Sequence, residues 1–263
     1  MARILRIYRR SLGAHLRAQL EYEADFWILV VAGLLTQTLG IFFFAAVFAR
    51  VPTLNGWRFE EVVLIYGLAG LTSALIPVLV DGIWGISHQI HYGELDYRLV
   101  RPFPPVLQVA SNSLGMNGFG DTIGSSALVV WALTRVEVDW SVGTALIAVL
   151  LFAGGVGIRI AIALASNAAS FWVRAPFPMV ADAIYQLGEL GRYPVTIYGA
   201  PIRLLIGVAI PFAFAGFFPA AWVLGKGGFA WLGLLTPVVA VACLTLAYCI
   251  FQRGLRRYES VGH

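Results

Sequence analysis

Apolar stretches long enough to cross a lipid bilayer recur through this 263-residue chain and leave no segment between them large enough for a water-soluble core. A spanning helix needs ~20 mostly apolar residues. Residues 26–49, 61–81, 106–134, 142–173 and 229–251 each meet that requirement. Only 12% of the chain is charged and 59% is hydrophobic, where soluble domains carry about 25% charged residues. The fold class is therefore an all-α polytopic membrane protein. The net charge of +4 and pI near 9.3 do not point to nucleic acid. Arginines flanking apolar runs are what orientation in a membrane requires.

Residues 1–25 read as an amphipathic helix lying in the headgroup layer, and 26–263 as a single transmembrane domain. Leu5, Tyr8, Leu12, Leu16 and Leu20 recur at helical spacing, and Arg3, Arg6, Arg9, Arg10 and Arg17 supply charge for anionic lipid. The basic start leads into this amphipathic stretch rather than a short apolar core, so no cleavable signal is expected. Between 176 and 224 lie two further apolar pieces, only one of which should cross. Either 202–224 is the fifth crossing and 179–193 a surface helix, or 179–196 crosses and 201–224 dips in and out, broken at Pro211 and Pro219. Backbone broken at membrane depth is tolerated only where protein buries it. With the second choice, one face holds the N-terminal arginines, Arg98, Arg101, Arg174, Arg253, Arg256 and Arg257. The other holds Arg50, Arg58, Arg135, Arg192, Arg203 and Lys226. The excess places both termini in the cytoplasm.

Residues 84–105, WGISHQIHYGELDYRLVRPFPP, form a polar island between the second and third apolar runs. Proline removes a backbone donor and disfavours helix in the residue before it, so a helix entering at Trp84 should stop by about Arg101. A folded polar plug on the cytoplasmic side is a surface offered to a soluble partner. His88, His91 and Glu94 have a spacing that could begin a metal site, but no further ligand is evident to complete one. A solvated helix face is the plainer reading.

Chemistry within the chain is sparse. No phosphate-cradling G-x-x-x-x-G-K-[ST] loop is present, since the one lysine, Lys226, sits in a GKGG turn. No serine or cysteine nucleophile has an evident histidine partner, so no catalytic residue is expected. Cys243 and Cys249 are six apart on one helix and face different ways. Gly115, Gly118 and Gly120 suit close helix approach, and Asn112, Asn117, Ser125, Asn167, Ser170, Gln37 and Thr38 suit hydrogen bonds between helices. Asp121 and Arg159 are the informative charges, each near the middle of its run. An ionisable group there costs several kcal/mol unless it is paired or faces water. If the third and fourth runs form an antiparallel hairpin, the two lie within ~8 Å along the axis. A salt bridge between them is expected, with a polar transport path as the alternative role.

The GELDYRLVRP segment at 93–102 is similar to the G-E-L-D-x-x-L-x-R-P signature of a bacterial branch of ABC-2 type ATP-binding-cassette exporter permeases. RYPVTIYGAPIRLLIGVAIPFAFAGFFPAAWVLG at 192–225 is similar to the second hallmark of that branch. The resemblance implies six crossings and a membrane-dipping element at 201–224. It makes 84–105 the coupling segment, with Tyr92, Gly93, Glu94, Leu95, Asp96, Arg98 and Arg101 docking a separate ATPase. It further implies two ATPase chains carrying the ATP and Mg, no cofactor in this chain, and a second permease, identical or paralogous. Export of an amphipathic, lipid-like or drug-like substrate across the bacterial inner membrane would follow. The rival is a stand-alone ion-coupled carrier or channel that uses Asp121 and Arg159.

Overall fold

A computed structural model describes residues 2–173, 175 and 177–260. Arg174, counted above with the basic residues of one face, lies outside them. Among the described residues the regular elements are helices, and pairing of extended backbone is limited to one bridge between Leu54 and Trp57. The long helices are α1 (Ala2–Leu20), α2 (Glu23–Phe48) and α3 (Phe59–Val80). Three short ones follow: α4 (Ile86–His91), α5 (Glu94–Leu99) and α6 (Pro105–Ala110). Then come α7 (Asn117–Leu133), α8 (Val142–Ala168), α9 (Met179–Leu187), α10 (Ala200–Leu204), α11 (Phe217–Val223) and α12 (Thr236–Arg257).

Among the described residues four helices are long and apolar enough to cross a membrane: Glu23–Phe48, Phe59–His91, Val142–Phe171 and Ala230–Arg257. They coincide with the first, second, fourth and last apolar runs. The third run departs from the single span expected over 106–134. It is broken at 111–116, leaving α7 with 17 residues, about 25 Å at 1.5 Å per residue. The break has local causes. Ser113 donates to an Asp81 carboxylate oxygen at 2.6 Å, the Gly115 N–H donates to the Pro77 carbonyl at 2.9 Å, and Asn112 accepts from Arg98 at 2.8 Å. Ser and Asn side chains that find such partners compete with the helix ladder.

α3 is the shared wall of the bundle. α7 packs on α2 and α3, whereas α8 packs on α12 and α3. Glycines permit the first of these contacts. A Cβ on Gly33 would meet the Asp121 backbone nitrogen at 2.7 Å, and one on Gly118 would meet the Ala74 carbonyl at 2.8 Å. Two apolar clusters line the axis. Phe44, Trp57, Ile65, Phe212 and Phe217 fill the half nearer Arg58. Ile83, Leu95, Val109, Phe171 and Phe251 fill the half nearer the polar island.

Residues 179–225 fold as two pieces. α9 continues as a 3-10 turn over Gly188–Arg192 and ends there, short of the 179–196 span in the second assignment. The chain then makes a helical hairpin. α10 widens into a π turn over Leu205–Ala209, the helix breaks at Ile210–Pro211, and α11 returns. Both ends of the hairpin lie at the Arg58 end of α3. Thr196 accepts from Asn55 and Trp57 at 2.6 and 3.0 Å, and Lys226 pairs with Glu61. Its turn sits halfway down α3, where Thr72 donates to the Ala215 carbonyl at 3.1 Å and Gly216 lies against Ala69. Pro219, expected to break the segment, instead falls in the first turn of α11, a position where proline is tolerated. The second break is at Gly216.

Candidate functional site: a polar foot and the cavity above it

At the far end of α3 the helix tightens into a 3-10 turn over Asp81–Gly85 and runs on as α4. Gly93, at φ +70°, then reverses the chain. Only glycine adopts that left-handed backbone without strain, so α5 can fold back beside α4. Leu95 pins the reversal, being fully buried among Ile83, Ile86 and Val109. The remaining α5 side chains divide. Tyr97 is 70% exposed and Val100 82%, with Tyr92, Leu99, Glu94 and Arg101 also at the surface. Arg98 turns inward instead. It donates to Asn112, its carbonyl accepts from Gln108 at 2.9 Å, and burial lowers its pKa from the ordinary arginine value.

The segment is braced on both sides. Tyr8 of α1 donates to the Leu79 carbonyl, and burial raises its phenol to about 12. Ser11 and Gln19 donate to the carbonyls of Ser111 and Leu114 at 2.9 and 2.8 Å. At the other edge, Ser260 of the C-terminal tail donates to Asp96 at 2.6 Å. Burial, with Asp96 nearby, pushes the Tyr258 phenol up to about 12. Foot, α1 and tail therefore share one end of the molecule. Of the docking residues expected from sequence, Tyr92, Glu94 and Arg101 are available to a partner. Leu95 and Arg98 serve the fold, Gly93 makes the turn, and Asp96 is engaged by the tail. His88 lies 3.8 Å from Glu94 across the Gly93 turn and stacks on Tyr92, and among the described residues no third ligating group joins them.

Above the foot, a cavity of about 280 Å³ lies between α3 and α7 on one side and α8 and α9 on the other. Asp121 and Arg159 both line it, but the salt bridge expected between them is not formed. The hairpin contact that the expectation assumed is replaced by separate packing of α7 and α8 against α3. Asp121 accepts from Gln37 of α2 at 3.1 Å. The Arg159 guanidinium lies over the Phe212 ring, 4.8 Å from its centroid. Arg159 is only 6% exposed, and its Nε and Nη2 find no hydrogen-bond partner among the described residues. Gly188 approaches its Nη1 so closely that a Cβ there would lie 2.8 Å away.

Arg192, counted above with the charges of the outer face, is a cavity residue that sequence reasoning did not single out. It lies partly buried in the cavity wall, paired with Glu189 at 3.0 Å and set over the Tyr66 ring at 5.5 Å. Its place at the head of the RYP motif was the available signal. Trp84, the first residue of the foot, stacks edge-on with Tyr185 of α9 at 5.6 Å, and both line the cavity. Foot and cavity are thus joined by one aromatic contact.

Bilayer-length helices around a charged internal cavity, with a folded polar foot at one end, have the build of a membrane-transport subunit. A family model described as ABC-2 family transporter protein matches residues 34–262, and the chain belongs to that family. It is accordingly a multi-pass membrane protein and the membrane component of a transporter. Comparison with curated proteins and with solved structures finds no match.

Proposed function

We propose that this chain is the permease subunit of a bacterial ATP-driven exporter, with the foot seated on a separate ATPase. In this reading both termini and the foot are cytoplasmic, α1 lies in the inner-membrane interface, and six crossings include α7 and the α9 region. The hairpin 200–223 dips into the membrane from the outside. Two permeases, identical or paralogous, pair above two ATPase chains, which carry the ATP and Mg. Closure of the ATPases pushes on the foot and tilts one permease against the other, alternating access to the space between. The exposed pair Tyr97 and Val100, held on a helix that fully buried Leu95 anchors, is the observation that carries the reading. Rigidly supported aromatic and apolar side chains on a soluble end suit a protein interface. Glu94→Arg with Tyr97→Arg, both exposed on α5, should abolish co-purification of the ATPase while the permease still inserts. Survival of the complex would show that the foot is not the docking surface.

A second reading, an ion-coupled carrier, draws on Asp121 and Arg159 lining one cavity. Transport driven by a proton gradient in vesicles free of any ATPase would favour it.

A further inference from the structure

The cavity is electrically lopsided. Arg192 has Glu189 at ion-pair distance, whereas Arg159 has no carboxylate that close among the described residues. Asp121 lines the same space and is met by a neutral donor, Gln37, rather than by a cation. A buried charge that lacks a partner is costly; Arg159 is such a charge, and two half-buried carboxylates met by neutral donors, Asp121 and Asp81, line the same cavity without pairing to it, so both signs share the space. No single ion neutralises both. A group that carries an acid at one end and an amine at the other does.

Size and setting narrow the ligand further. About 280 Å³ falls at the lower edge of small-molecule sites, enough for a polar headgroup and too little for acyl chains. The wall on the α9 side carries Ala181 and Ile184 and reaches the surface at Tyr185, which is half exposed. A tail can leave the cavity along that face toward lipid.

We infer that the cavity is a subsite for the zwitterionic headgroup of an amphiphile, its acid on Arg159 and its amine toward Asp121. The inference rests on the permease reading only in taking that amphiphile as cargo. Binding is measured on the full chain without any ATPase, so its failure and the failure of docking are read separately.

The test uses purified chain in a neutral detergent and three twelve-carbon probes: lysophosphatidylethanolamine, lysophosphatidylglycerol and dodecyltrimethylammonium. The zwitterion should bind tightest and the cation weakest. Arg159→Met should weaken both phospholipids about 10- to 100-fold, as the loss of charge-assisted hydrogen bonds implies. It should also leave the melting temperature of the free chain at or above that of the unaltered protein, because an unpartnered charge is removed. Asp121→Asn, nearly isosteric and still able to accept from Gln37, should erase the preference for ethanolamine over glycerol. Glycerophosphoethanolamine, the headgroup without a tail, should bind more weakly than the lysolipid. Equal affinity for the zwitterion and the cation, or unchanged phospholipid binding in Arg159→Met, would overturn the inference. Headgroup binding as tight as the lysolipid's would overturn its amphiphile part. A fall in melting temperature for Arg159→Met would make that residue a structural strut.

Discussion

Two buried charges in this bundle are treated in opposite ways. Glu61, 4% exposed at one end of α3, is surrounded by donors. The Arg58 N–H reaches it at 2.7 Å, the Arg58 side chain at 3.3 Å, and Lys226 closes the cluster from the end of the hairpin. Lys226 also lies 5.4 Å from the Trp57 ring centroid. Arg159, buried as deeply in the middle of α8, has an aromatic face for company and, among the described residues, no carboxylate at ion-pair distance. One arrangement is a completed lock between α3 and the hairpin. The other is unfinished, and it opens on a cavity. Burial by itself separates structural from functional charge poorly; what the charge touches is the better guide.

Substitutions that break this contrast should differ in sign as well as size. Glu61→Ala leaves Lys226 and Arg58 facing each other without their anion. It should cost about 2 to 4 kcal/mol, discounted from the full buried-pair value because Lys226 keeps some access to water. A melting curve in detergent reads this as a clear fall. Arg159→Met should leave the same curve in place or move it the other way, by up to about 2 kcal/mol, as removal of an unpaired buried charge does. Arg58→Ala should have the smallest effect, about 0.5 kcal/mol or less, since its side chain is 55% exposed and Lys226 remains. If Glu61→Ala is neutral, the lock is not one, and the comparison fails at its stronger arm.

The parts of this fold that could be read along the chain are those set by local pattern. Helix α1 follows from its leucine spacing, four long helices follow from apolar runs, and the foot follows from a polar island with a glycine turn and a proline exit. The parts that could not be read depend on which helices are neighbours. Hydropathy over 106–134 does not show that Ser113 will meet Asp81 and interrupt the helix. Nor does it show that α3 will be the wall against which α7 and α8 both pack, sending Asp121 to Gln37 and leaving Arg159 on Phe212. The part Arg192 plays in the cavity wall was hidden for the same reason. An arginine near a predicted loop counts toward surface charge until a Tyr66 ring and Glu189 are seen to enclose it. Within the foot, residue types pointed to a docking surface, while the division between anchors such as Leu95 and exposed contacts such as Tyr97 needed three dimensions.

The central claim is that force enters this chain through the foot. A photo-crosslinking amino acid placed at Tyr97, and separately at Trp140 in the half-exposed loop at the opposite end, tests it in native membranes. The account predicts an adduct between the Tyr97 position and a P-loop ATPase, and none from Trp140. An ATPase adduct from Trp140, or lipid alone captured at Tyr97, would contradict it.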